Sequence, residues 1–217
     1  MDDRPNGASW FARRLSRQAS HPTGWFGRML GRIWLLDTAA VNDEALRLLK
    51  PAAGEHILEL GFGPGRAIGR LVQAGASVTG VDVSEEMVAL ADRRNRRAVD
   101  AGTVSLHRGD GTSLPVDDDT IDAALSVHTL YFWDDYPKVA RELARTIKPA
   151  GRLVLGIRDP DIPLPSRLDP EIYTTLDRGE IQRLLLDAGF ADVEFHSNRE
   201  VSRGSLWVVA TTGGTDR

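Results

Sequence analysis

The chain has 217 residues, enough for one well-filled core and an appendage. Its 41% hydrophobic and 27% charged residues are those of an ordinary soluble fold. A net charge of −4 removes any general affinity for nucleic acid, the lack of cysteine excludes disulfides, cysteine zinc sites and thiol catalysis, and no apolar run reaches the ~18 residues of a membrane span.

With no apolar signal core near its start, the chain is expected to be cytoplasmic. Residues 1–9 are polar. Residues 10–36 carry five arginines (Arg13, Arg14, Arg17, Arg28, Arg32) and no acid, interleaved with Trp10, Phe11, Trp25, Phe26 and Trp34. His21-Pro22-Thr23-Gly24 divides this basic, amphipathic stretch into two short helical pieces. Two uses suit it: a hinged lid over a pocket, which two short pieces favour, or peripheral contact with a membrane surface. Residues 41–49 continue as a helix that enters the first strand through Pro51 and Gly54.

Residues 56–70 organise the remainder. An apolar run at 57–60 stops at Gly61-Phe62-Gly63-Pro64-Gly65 and restarts with Ile68, Leu71 and Val72 at helical spacing. This strand–turn–helix opens a nucleotide-binding α/β unit, with glycines that let a ligand lie against bare backbone. Helix N–H groups just beyond the turn suit an anionic group. A dinucleotide fingerprint requires a third glycine where Arg66 stands. The acid Glu59, two residues before Gly61, would repel a pyrophosphate but suits a ligand carrying an ammonium group.

Further on, 75–82 reads as a strand ending on Asp82, 21 residues after Gly61, a spacing at which an acid can bond ribose hydroxyls. Ser84 caps a helix whose inner stripe is Met87, Leu90 and Ala91. Strands follow at 103–107, before Asp110-Gly111, and at 121–127. A helix over 135–147 and a strand over 152–157 come next. Residues 159–170 hold four prolines and predict an extended loop. Asp177 and Glu180 form a capping-box pattern for a helix ending at Gly189. Strands at 192–197 and 204–212 are too close for a parallel crossover and should pair as an antiparallel hairpin. The pattern is α/β: a Rossmann-like, seven-stranded, mostly parallel sheet with an antiparallel C-terminal strand, helices on both faces and an N-terminal helical segment.

Glu59-x-Gly61-x-Gly63-x-Gly65, Asp82 and Asp110 together resemble the class I S-adenosylmethionine (SAM) dependent methyltransferases, and locally the small-molecule, UbiE-like members. The resemblance covers roughly residues 45–217. It divides the chain into a helical lid or substrate segment, 1–45, and a SAM-binding domain, 46–217. It implies that SAM is the cofactor, with Glu59 and the Gly61, Phe62, Gly63 and Gly65 loop holding the methionine moiety. By the same resemblance Asp82 accepts the ribose hydroxyls, Val83 and Met87 flank the adenine, Asp110 and Gly111 meet its edge, and Ser126 and Val127 line the floor under the sulfonium. The acceptor is then a small molecule methylated on O, N, S or C. No Asn/Asp-Pro-Pro-Tyr follows the fourth strand, which disfavours nucleic-acid methylation.

Methyl transfer asks mainly for alignment and exclusion of water, with a base where the acceptor must lose a proton. His128 is the candidate base, with pocket lining as its other reading. Trp25, Trp34, Asn42, Tyr131 and Trp133 are candidates for the acceptor pocket, although three adjacent aromatics (Tyr131, Phe132, Trp133) cannot share one face. Asp134-Asp135 reads as a helix cap rather than a metal site, and no metal is expected. Two rival readings stand beside methyl transfer: a non-catalytic SAM-binding or membrane-associated protein, and an NAD(P)-dependent oxidoreductase. Arg66, Glu59 and the lack of a Tyr-x-x-x-Lys pair count against the latter.

Overall fold

Residues 39–163, 176–202 and 204–214 are described by a computed structural model. The basic segment 10–36 with Trp25 and Trp34, and residues 164–175, which include most of the proline-rich stretch 159–170, lie outside the described residues.

Seven strands form one sheet in the order β3-β2-β1-β4-β5-β7-β6. They are β1 (His56–Leu60), β2 (Ser77–Asp82), β3 (Val104–Arg108), β4 (Ile121–Val127), β5 (Ile147–Arg158), β6 (Phe190–His196) and β7 (Ser205–Thr212). Six run the same way; β7 is antiparallel and lies between β5 and β6, pairing with both. The central strands are apolar on both sides because both faces are covered. Ile57, Val78, Ala123, Leu125 and Val154 face α1 (Ala39–Leu49), α2 (Arg66–Gln73) and α3 (Glu85–Arg94). A short α4 (Arg96–Asp100) follows α3. Leu58, Leu60, Ala124, Leu153 and Leu155 face α5 (Tyr136–Thr146) and α6 (Arg178–Ala188).

Local chemistry sets the helix starts. The Ser84 hydroxyl accepts the Met87 N–H, the Asp135 carboxylate accepts that of Lys138, and Asp177 and Glu180 form a reciprocal capping box. Gly189, at φ 112°, closes α6 in the left-handed conformation. The main difference from the sequence expectation is that Ile147 begins β5 instead of ending α5, while other strand ends shift by one or two residues. Ile147 pairs with Ile121, and the ladder then skips Lys148-Pro149-Ala150-Gly151 before resuming at Arg152 opposite Ala123. Pro149 has no N–H for the ladder, and the Lys148 ammonium, 2.6 Å from Asp122 Oδ1, holds the irregular stretch to β4.

Helix α1 fixes the entry to the sheet. The buried Trp207 indole donates to the Val41 carbonyl at 3.0 Å, and Arg152 donates to the carbonyls of Leu49 and Lys50 at the other end. Residues 45 and 46 are both inside this continuous helix, which packs on β4, β5 and β7. Its first half lies near the carboxyl ends of the parallel strands, because Trp207 pairs with Gly156 late in β5. No helix among the described residues is long and apolar enough to cross a membrane.

Candidate functional site

Strand order reverses between β1 and β4, and in open α/β sheets ligands sit at the carboxyl rim beside such a point. The glycine loop leaves β1 there. Gly61 takes φ 75°, and a side chain on it would collide with the Thr129 methyl group. Gly63 takes φ 52°, and a Cβ on it would point into open space, leaving a backbone cradle for a ligand. Phe62 is buried and closes over Gly80 of β2. Gly65 is clamped from α3 by the Asn95 amide, which donates to its carbonyl at 3.0 Å.

Two acids stand at the carboxyl ends of the neighbouring strands β1 and β2. Glu59 is 4% exposed, its Oε2 is buried with no hydrogen-bond partner, and burial, then the charge of Asp82, pushes its carboxyl up to about 8. Asp82 is also buried, with Oδ2 accepting the Gly63 N–H at 2.8 Å and Oδ1 the Ser84 N–H at 2.9 Å. It therefore braces the glycine loop against the start of α3. Val83 is half-buried, and Met87 lies in the core with Phe62 and Ala91. Asp110 is exposed and accepts both the N–H and hydroxyl of Thr112, which lowers its pKa; Gly111, at φ 86°, packs against Leu60.

Beyond β4, the buried Ser126 hydroxyl donates to the Leu60 carbonyl at 2.9 Å and bonds Thr129 Oγ1, while Val127 packs on Gly156. His128 is left-handed at φ 57°, and its N–H bonds the Gly156 carbonyl at 2.7 Å. Its Nδ1 lies 3.1 Å from the Tyr131 hydroxyl, which also accepts the Arg158 N–H. Tyr131 and Phe132 sit in a single 3-10 turn. Tyr131 and Trp133 are buried in the cluster beneath α5 and α6, with Phe132 at its edge, so packing takes up much of all three rings. Asn42 is half-buried in α1, and its neighbour Asp43 bonds Arg66 and Arg70 of α2.

The structure thus brings Glu59, the glycine loop, Asp82, Ser126 and His128 to one rim. Sequence reasoning missed Thr129, Asn95 and Gly80. Asn95 stands in a charged run, Arg93-Arg94-Asn95-Arg96-Arg97, and gives no local sign that its amide turns inward.

Fold and rim define the class: doubly wound α/β proteins with a ligand cradle at the β1 turn. A sequence family described as a methyltransferase domain matches residues 58–155. The O-methyltransferase cnsE of Penicillium expansum is 32% identical over 173 residues, covering 76% of this chain and 62% of its own length. The chain spans between half and two thirds of the length of the first curated relatives it matches. Among solved structures, a SAM-dependent methyltransferase from Aquifex aeolicus aligns with a TM-score of 0.64 at 22% identity, covering 80% of this chain and 92% of its own. The [4+2]-cyclase SpnF aligns with a TM-score of 0.67 at 20% identity, covering 80% and 81%. The chain is thus similar in sequence to the methyltransferase-domain family over residues 58–155, and it shares its fold with SAM-dependent methyltransferases.

Proposed function

We propose that the protein transfers a methyl group from SAM to a small-molecule acceptor. The observation that carries this reading is Glu59: a buried carboxyl beside an open glycine cradle, with one oxygen lacking any partner. An ammonium group placed there would satisfy that oxygen and favour its ionisation, so the residues fit the amino-acid end of SAM. When bound, SAM supplies a methyl group on a sulfonium, open to in-line displacement by a nucleophile.

The chain's own residues divide the remaining work. Glu59 and the backbone of the 61–65 loop hold the methionine moiety. Asp82 turns from the Gly63 N–H towards the ribose hydroxyls. Val83 and Met87 back the adenine, Asp110 and Gly111 meet its edge, and Ser126 and Val127 form the floor. His128, with its ring tied to Tyr131, stands where it can take the acceptor's proton. Residues 1–45 complete the acceptor side, with Trp25, Trp34 and Asn42 as its proposed lining.

The O-methyltransferase cnsE supports an oxygen acceptor, while the [4+2]-cyclase shows that this fold also serves other chemistry. Calorimetry with SAM and with NADH, followed by SAM consumption over an acceptor panel, tests the reading. Binding of NADH in place of SAM overturns it. SAM binding without consumption across the panel points instead to a binding protein.

A further inference from the structure

Among the described residues, four half-buried guanidinium groups come with carboxylates. Arg66 is 3.3 Å from Asp43, Arg145 2.9 Å from Glu142, Arg152 2.8 Å from Glu55 and Arg178 3.1 Å from Asp159. Arg158 is also half-buried, yet no carboxylate partners it among the described residues. Its Nη2 donates to the Pro163 carbonyl at 2.8 Å, and its Nε is buried with no acceptor. Its sequence neighbour Asp159 is committed to Arg178. Withdrawing a cation from water without a counter-charge is unfavourable, so such a residue is a place where an anion is gained.

Its location says which anion. Arg158 is the last residue of β5, at the rim where the ligand sites of the sheet lie. Alternation along β5 puts it on the same side as Gly156 and Val154, the side that carries α1 and α2. The guanidinium sits between the loop after β5 and the start of β7, near Pro163 and Gly204. Its backbone N–H bonds the Tyr131 phenol that also meets His128. One phenol therefore joins the candidate base to the residue bearing the uncompensated cation.

Resting on the methyltransferase reading, we propose that Arg158 anchors a carboxylate of the acceptor, so that the substrate class is small organic acids. The planar fork of arginine matches the two oxygens of a carboxylate, which orients the acid as well as holding it.

The test uses the full chain and paired probes: salicylate, benzoate, 4-hydroxyphenylacetate and hexanoate, each against its amide. Affinities are measured by calorimetry with and without S-adenosylhomocysteine. At least one acid should bind roughly tenfold or more tighter than its amide, as expected of charge-assisted bonds. Arg158→Gln should erase that preference, Arg158→Lys should retain part of it, and neither should alter S-adenosylhomocysteine affinity or the melting temperature. A panel in which no acid is preferred overturns the proposal, as does a preference that survives Arg158→Gln. Loss of melting temperature with unchanged discrimination makes Arg158 an internal structural residue. Arg158-dependent binding of inorganic phosphate that excludes every carboxylate overturns the choice of anion. Failure of S-adenosylhomocysteine to bind the wild type overturns the methyltransferase reading alone, because the measurement without it still decides Arg158.

Discussion

Glu59→Gln separates the buried acid's effect on the empty protein from its role with ligand. In the folded chain the carboxyl is pushed from 4.5 to about 8, so it keeps a proton that the unfolded chain has already released. Stability of the ligand-free protein should therefore fall as pH rises from 4.5 towards 8 and level off above. At ~1.4 kcal/mol per pH unit, the loss reaches at most about 5 kcal/mol. Glutamine has no proton to lose, so the variant should lack this component and exceed the wild type in stability at pH 8. Urea unfolding of both proteins at pH 5 and pH 8 measures the difference, with other titrating groups cancelling between them. Binding reverses the balance: an ammonium beside Glu59 favours the carboxylate, so SAM should displace up to one proton. Its affinity should rise by at most about tenfold per pH unit below about pH 7.5, where the ligand's own amino group stays charged. Calorimetry in two buffers of different ionisation enthalpy counts the proton. Equal pH dependence of wild type and variant, with no proton released on binding, would refute the assignment of Glu59 to the ligand's ammonium.

Asp82→Ala should weaken SAM binding by about 1.5–3 kcal/mol, through loss of bonds to the ribose hydroxyls; titration calorimetry reads this directly. Gly63→Val places a β-branched residue at φ 52° with its side chain in the cradle, and should remove SAM binding altogether. Wild-type affinity in both variants would move the cofactor elsewhere. His128→Asn keeps a residue that tolerates the left-handed backbone, so its effect on rate reports the ring. Turnover should fall about 10²–10⁴-fold with S-adenosylhomocysteine affinity intact, and an unchanged pH–rate profile would remove His128 from the chemistry.

The parts of the fold that were legible are those where burial on both faces leaves an uninterrupted apolar run. Leu153 to Ile157 within β5 is the plainest case. Ile147 was ambiguous because one apolar residue can close a helical stripe or open a strand, and its pairing with Ile121 lies outside local sequence. The sequence of Tyr131-Phe132-Trp133 shows that the rings cannot share a face, but only the 3-10 turn decides how each packs. Asp82 was readable as an acid ending a strand; its bond to the Gly63 N–H was not, since sequence carries no register for backbone donors. Arg158 stood between an apolar run and a proline-rich loop. Its burial follows from pairing with Ser205, nearly fifty positions away.

Anchoring α1 at both ends has an evolutionary consequence. Trp207 and Arg152 fasten this helix to strands late in the chain, and Asp43 ties it to the helix that follows the glycine loop. Ala39, the first described residue, thus stands on a helix fastened beside the rim. The contacts proposed for the donor come from strand ends and bare backbone within residues 59–127. On the proposed reading, in which residues 1–45 complete the acceptor side, change in that segment would alter what is methylated without disturbing what supplies the methyl. On that reading, donor recognition and acceptor choice are separately heritable traits of one chain.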